Sequence, residues 1–340
     1  MFSQQFGGIQ PTSLLGEIIF DLREGRARHE WTRKVLSETL ITTLKVNGVL
    51  SLWFSLLSEQ ERSQLSPPLL QRLNEERLLA CARWEKQEEG LQSAGEALDA
   101  AGIRWTTLKG AAFCTSLYEF PHHRPMVDLD ILVLSQDFQR AQSALIDLAS
   151  PRQHGQRSHE QNLQASGYWI DLHRELVGNG RSRIPLGPLI VEGRCRHREQ
   201  WIPDCVGTFL SLTVHLALTD YVAGRLIRLV DLDRWLRRGH IDFQECVAVV
   251  KRAGLSHAAW LSLLYCRQVF ESPVPEEVMR ELAPRFLKGA YLRAWLARGP
   301  SRVYFRHPTL ARAGFQLLLG DSYRDHVRAL RSLRAETQRN

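Results

Sequence analysis

The stretch from Leu108 to Leu134, LKGAAFCTSLYEFPHHRPMVDLDILVL, constrains the fold more than any other part of the chain. Asp128 and Asp130 stand on either side of one leucine inside an apolar run. In a strand, alternate side chains share a face. The two aspartates therefore point one way, while Val127, Leu129, Ile131 and Val133 point the other way, into a core. Their Cα atoms are then roughly 6.6 Å apart. If both carboxylates are ionised, their repulsion costs about 2.5 kcal/mol at an effective dielectric near 20. A nearby cation offsets that cost. Paired carboxylates with oxygen-only donors suit Mg²⁺ or Mn²⁺ better than zinc.

Upstream, Ile103 to Leu108 reads as a strand that enters a turn at Lys109-Gly110. Ala111 to Tyr118 reads as a short helix, whose first N–H groups lack intrahelical partners and offer a dock for phosphate. A loop with Pro121 and Pro125 leads into the aspartate strand. Phe138 to Leu148 has helical periodicity. Pro151 to Gly167 is polar, a loop or a weak strand pair. Alternation in Tyr168 to His173 places Trp169, Asp171 and His173 on one face of a third strand. Asp171 is thus a third carboxylate able to converge on the first two. Asn179 to Arg198, rich in Gly, Pro and Arg, has no clear period and reads as loops.

Helices flank this region. On the N-terminal side, Thr12 or Ser13 can cap a first helix, and Val35 to Leu44 marks a second. Gly48 permits a break before Leu50 to Leu57. Ser66-Pro67-Pro68 opens a long helix with Leu69, Leu70, Leu73, Ala80, Cys81 and Trp84 on one side. After Asp204 helices return over Thr208 to Leu218, Tyr221 to Arg238, Ser256 to Phe270 and Pro275 to Arg298. Arg228 and Asp231, three apart, are spaced to pair on one helix face. The expected architecture is α+β: a small mixed-sheet core at 96–200, a helical region at 1–95 and a helical region at 201–340.

That last region ends in a basic tail that includes Arg298, Arg302, Arg306, Arg312, Arg324, Arg328, Arg331, Arg334 and Arg339. The tail is either a solvated surface or a platform for an anionic partner such as RNA. The net charge of +7 permits a polyanionic ligand without demanding one. None of the six cysteines forms a CxxC pair, and Cys195 with His197 has no second pair at zinc spacing. The N-terminus lacks a basic segment followed by an apolar one, and no apolar window is long enough to span a bilayer. A cytoplasmic protein is expected.

The ordered set Leu108-Lys109-Gly110, Tyr118, Arg124, Asp128-Leu129-Asp130-Ile131-Leu132-Val133 and Asp171-Leu172-His173 resembles a bacterial family of largely uncharacterised nucleotidyltransferases. That family sits within the DNA polymerase β-like nucleotidyltransferase superfamily. His215, Arg228 and Asp231 extend the resemblance into the helical half, over roughly residues 30–260. The chain departs from the superfamily at the turn, where Gly110-Ala111 replaces Gly-Gly or Gly-Ser and removes one phosphate contact.

The resemblance implies a polymerase-β-like core and Mg²⁺-dependent transfer of an NMP from an NTP to an acceptor, with release of pyrophosphate. Asp128 and Asp130 would hold Mg²⁺ (or Mn²⁺). Asp171 would complete the site and take the proton from the attacking hydroxyl. Lys109, Gly110, Ala111 and Arg124 would hold the nucleotide, with Lys109 and Arg124 on the β- and γ-phosphates. A solvated turn lysine and a structural ion pair are the alternatives for those two cations. His173 reads as a strand residue beside the site, and His215, Arg228 and Asp231 as a packing network. The acceptor is open: a natural-product peptide, another small molecule or tRNA. Two other functions stay in view. One is a glycosyltransferase that uses Asp-x-Asp to bind a sugar nucleotide; the other is a non-catalytic nucleotide- or RNA-binding module.

Overall fold

In the computed structural model the described residues are 14–26, 38–151, 160–165, 167–220, 222, 224–297, 314–315 and 318–337. The chain begins with helices α1 (Leu14–Glu24), α2 (Glu38–Val46), α3 (Leu50–Ser55) and α4 (Glu59–Ser63). The expected cap at Thr12 or Ser13, and Val35 and Leu36 of the second helix, lie outside the described residues. Gly48 breaks α2 from α3 with φ +71°, a left-handed conformation that glycine adopts without cost. Helix α5 (Pro67–Ala100) is 34 residues long and carries proline in its first turn, where the missing N–H has no partner to lose.

Five strands follow: β1 (Trp105–Thr107), β2 (Asp128–Val133), β3 (Ala149–Pro151), β4 (Glu160–Ala165) and β5 (Trp169–His173). They form one mixed sheet in the order β1-β2-β5-β4-β3. Only β2 and β5 pair in parallel, with Asp130 opposite Asp171 and Leu132 opposite His173. Helix α6 (Lys109–Ser116) links β1 to β2, and α7 (Phe138–Ala144) follows β2.

The two faces of the sheet meet different cores. Leu129, Ile131 and Val133 of β2, with Ile170 and Leu172 of β5, pack against Leu91, Ala94 and Leu98 of α5 and Ala141 of α7. Gly95 is needed for this approach, because a Cβ there would lie 2.7 Å from the Trp105 ring. On the opposite face Leu132 joins a larger core that runs through α1–α3 and the C-terminal helices, from Ile18 to Leu319. The aspartates share this second face, with Asp128 half-buried at the start of β2 and Asp130 buried. The first helices and the last therefore bury each other's apolar surface.

Residues 179–198, expected as loops, include helix α8 (Gly187–Glu192) and strand β6 (Cys195–His197), which pairs with β7 (Gln200–Ile202). Pro188 sits in the first turn of α8, and Ile190 and Val191 are buried. This element is too short for its period to stand out among the surrounding Gly and Arg. Further on come α9 (Cys205–Phe209), a π-helical turn (Leu210–Val214) and α10 (His215–Leu218), then α11 (Leu226–Arg237), α12 (Phe243–Ala253) and α13 (Ser256–Phe270). The single helix expected from Pro275 to Arg298 is two, α14 (Glu276–Leu282) and α15 (Phe286–Ala297), parted at Pro284.

Helix α16 (Tyr323–Thr337) holds the described part of the basic tail. Arg298, Arg302, Arg306, Arg312 and Arg339 lie outside the described residues. Arg328 donates to Asp325 Oδ1 at 2.7 Å and to the Gly180 carbonyl at 3.2 Å, so this tail arginine is a packing residue. No helix among the described residues is long and apolar enough to cross a membrane.

Candidate active site

The site grows from the register of three strands. Asp128 and Asp130 project from one face of β2, and the parallel pairing sets Asp171 of β5 directly beside Asp130. Antiparallel β4 then places Asn162 opposite Asp171 and Glu160 opposite His173. Asn162 donates a short hydrogen bond to Asp171 Oδ1, which fixes the carboxylate's orientation. Asp130, Asp171 and His173 thus lie together on one face, with Asp128 two residues before Asp130 on the same strand and outside the closest group. Asp130, Asp171 and His173 can each turn one ligand atom to within 4.8 Å of the others.

Asp130 is the most buried of the three carboxylates, 2 % exposed. Lys109 Nζ lies 2.5 Å from its Oδ1 and His173 Nε2 lies 2.8 Å from the same oxygen. Burial alone would raise the Asp130 pKa, but Lys109 and His173 outweigh it and hold the carboxyl well below the usual range. At Asp128 the pull of Lys109 is outweighed. Burial first, then the charges of Asp130 and Asp171, push it up from 3.8 to about 7. Asp171 is raised by burial and by Asp130, against the pull of Asn162. Three carboxylates share one lysine, so the cluster holds more negative charge than the protein neutralises. The carboxylate oxygens of this set fit a hard divalent cation, while the His173 imidazole is engaged with Asp130.

Lys109 reaches Asp130 because it opens α6 in a left-handed conformation, φ +49°. Such a backbone costs a non-glycine residue about 1–3 kcal/mol and is concentrated at functional sites. The helix starts at Lys109, two residues earlier than its sequence suggests, and no side chain caps it. Its first residue meets the carboxylate cluster through Lys109 Nζ, and the Leu108 N–H donates to the Asp130 main-chain carbonyl at 2.9 Å, which fixes the helix start against β2. Gly110 and Ala111 lie in this first turn. A Cβ on Gly110 would stand 2.5 Å from Arg124 Nη1 and 2.9 Å from Met126 Cβ, so only glycine fits.

Arg124 is 6 % exposed and its guanidinium is committed to Asp231 of α11. Nη2 donates to Oδ2 at 2.7 Å and Nε donates to the same carboxylate at 3.2 Å. Tyr118 O–H donates to Asp231 Oδ1 at 2.7 Å, and Arg234 lies over the Tyr118 ring at 4.6 Å. The structural ion pair, one of the two alternatives for Arg124, is the arrangement present. The expected Arg228–Asp231 pair is not formed, because Asp231 is taken by Arg124 and Tyr118. Arg228 Nε instead lies 2.9 Å from Asp220 Oδ2.

Several residues at the site escaped the sequence reading. Glu160 and Asn162 sit at alternate positions of a short polar strand, a signal too weak to separate from a loop. Glu160 Oε2 lies 3.5 Å from His173 Nδ1. Asp220 is in a loop without period. On the outer side of α6, Gln200 donates to Thr115 Oγ1 at 2.5 Å and to the Ala111 carbonyl at 3.3 Å, so the β6–β7 hairpin braces the helix.

Against known proteins, residues 34–271 match the model of a family described as "Uncharacterised nucleotidyltransferase". No curated protein matches the chain.

Proposed function

The chain belongs to this uncharacterised nucleotidyltransferase family, and from that premise we propose that it moves an NMP group from an NTP to a hydroxyl acceptor, using Mg²⁺ or Mn²⁺. The observation that carries the proposal is the convergence of Asp128, Asp130 and Asp171 beside the uncapped start of α6.

Asp130 and Asp171 would hold the divalent ion, with His173 in reach of the same site, and Asp128, whose proton affinity is raised by both of those carboxylates, would add a third oxygen donor. A bound ion supplies positive charge that neutralises the triphosphate and acidifies the acceptor hydroxyl. The chain's own groups do the rest. The first N–H groups of α6, at Lys109, Gly110 and Ala111, form an anion dock, and the helix dipole favours negative charge there. Arg124 adds its charge from behind Gly110 without leaving Asp231. Direct contact between Arg124 and the β- and γ-phosphates would require that pair to open. Lys109 exchanges part of its contact with Asp130 for phosphate oxygen. Asp171, oriented by Asn162 and raised in proton affinity, accepts the proton of the acceptor hydroxyl. The acceptor oxygen forms a bond to the α-phosphorus, the bond to the bridging oxygen breaks, and pyrophosphate leaves.

The acceptor is a natural-product peptide, another small molecule or tRNA. Six cysteines, all free, suit a reducing cytoplasm. The test is a thermal-shift series with the four NTPs, with and without Mg²⁺. At 100 times its Kd a ligand stabilises the fold by about 2.7 kcal/mol. A Mg²⁺-dependent shift that disappears in Asp130→Asn is expected. A shift with a sugar nucleotide and none with any NTP would replace this proposal with glycosyl transfer.

A further inference from the structure

Three side chains of the C-terminal helical half, His215, Asp220 and Arg228, keep polar atoms unused, and Lys109 and Asp130 act electrostatically on the first two. His215, 5 % exposed, makes no hydrogen bond to a described residue, and its Nδ1 is sealed from water. It stands at the exit of the π-helical turn Leu210–Val214. Such turns widen a helix at one point and recur at functional sites. Asp220 follows one turn later; its backbone N–H donates to the His215 carbonyl at 3.4 Å. Its Oδ2 is buried and accepts no hydrogen bond, although Arg228 Nε lies 2.9 Å away. The pair is electrostatic, without hydrogen-bond alignment. Arg228 makes no other side-chain hydrogen bond or ion pair with a described residue, so among the described residues both terminal nitrogens of its guanidinium keep their donors unspent.

The positions of these groups follow from the clamp on Asp231. Arg228 lies one turn of α11 before Asp231, which holds Arg124 against Gly110 at the start of α6. The start of α11 is fixed by Asn47, whose Oδ1 accepts from the Leu226 N–H at 3.3 Å. Lys109 and Arg228 are the cations that bear most on His215, and burial together with both keeps its imidazole neutral. Lys109 is likewise the second cation felt by Asp220, after Arg228. Lys109 and Arg228 thus both act on the buried imidazole of His215.

We infer that Arg228, steadied by Asp220 and flanked by His215, binds the terminal phosphates of the NTP. This rests on the nucleotidyl-transfer reading above. A guanidinium with two free donors suits a phosphate bidentately. Asp220 holds it in place until phosphate oxygens supply the geometry that the carboxylate does not. The role expected of Arg124 thus passes to an arginine whose donors are available.

The experiment compares Mg²⁺–NTP, NMP and inorganic tripolyphosphate by calorimetry on wild type, Arg228→Ala, Arg228→Lys and Asp220→Asn. Arg228→Ala is expected to weaken NTP and tripolyphosphate about 10- to 100-fold, the span of a hydrogen bond to a charged group, and to leave NMP within about twofold. Arg228→Lys restores part of the loss. Asp220→Asn, which frees the arginine, tightens tripolyphosphate. An unchanged NTP-to-NMP ratio in Arg228→Ala overturns the inference, as does an equal loss for all three ligands. If Arg228→Ala does not fold, the Lys and Asp220→Asn variants decide by the same ratio. Absence of Mg²⁺-dependent NTP binding in wild type overturns the parent reading instead.

Discussion

Replacing Asp128 with asparagine should make the metal-free protein more stable while removing Mg²⁺-dependent NTP binding. The folded carboxyl is pushed up from 3.8 to about 7, so the folded chain keeps a proton that the unfolded chain has released. The stability tied to that proton is complete below about pH 4 and is lost as pH rises toward 7. Asparagine mimics the neutral form. Its advantage should grow between pH 4 and 7 and level off above, reaching about 1–2 kcal/mol at pH 8. That is less than the full 1.4 kcal/mol per pKa unit, because the carboxyl is partly solvated. Denaturant melts at pH 5 and 8 in EDTA would measure it; equal stability of variant and wild type at both would refute the repulsion. Saturating Mg²⁺ should reverse the order. His215 runs in the opposite direction. Burial holds it neutral in the fold, so acidification below its unfolded pKa of about 6.5 charges the unfolded chain first and destabilises the protein. His215→Gln should flatten the stability–pH curve between pH 6.5 and 5.

At the scale of elements, α6 carries the tightest constraint. Gly110→Ala drives a Cβ into Arg124 and Met126. Overpacking of this kind costs about 1–3 kcal/mol, and here it also tilts the anion dock. A variant with wild-type melting temperature and wild-type NTP affinity would show that the guanidinium can withdraw freely. The alternating strand patterns were legible in advance because the sheet has two buried faces with different occupants. Aspartates and Leu132 point to one face and Leu129, Ile131 and Val133 to the other, so a one-residue slip is detectable on paper. Helix α8 and the β6–β7 hairpin were not legible, since each element is shorter than the window a period needs. The partners of Arg124 and Arg228 were hidden for another reason. Spacing within α11 pairs Arg228 with Asp231, but a buried arginine 107 residues away in sequence competes for that carboxylate and wins by supplying several donors.

At the scale of the whole molecule, the Tyr118–Arg124–Asp231 cluster ties the sheet core to the C-terminal helices. Asp231→Asn leaves a buried guanidinium without a counter-charge, a change that costs about 3–5 kcal/mol. Equilibrium unfolding of this variant should show a lower midpoint, and loss of a single cooperative transition would mean that the two halves had separated. Tyr118→Phe removes only a hydrogen bond to a charged group and should cost about 1.5–3 kcal/mol. A neutral outcome for both would mean that the apolar core alone joins the halves.

The shared core of the first and last helices also sets an order of events at birth. Ile18 and Leu296 are buried in one cluster. They are about 280 residues apart, and at typical ribosomal speeds of 5–20 residues per second the second emerges on the order of half a minute after the first. For that interval α1 to α3 have only the partners between Leu65 and the sheet core, such as Leu73, Leu108 and Leu132, and part of their apolar surface stays in water. The nascent chain is therefore exposed to aggregation from its N-terminal end, and a ribosome-associated chaperone that shields early helices should raise its soluble yield more than any stabilisation of the sheet.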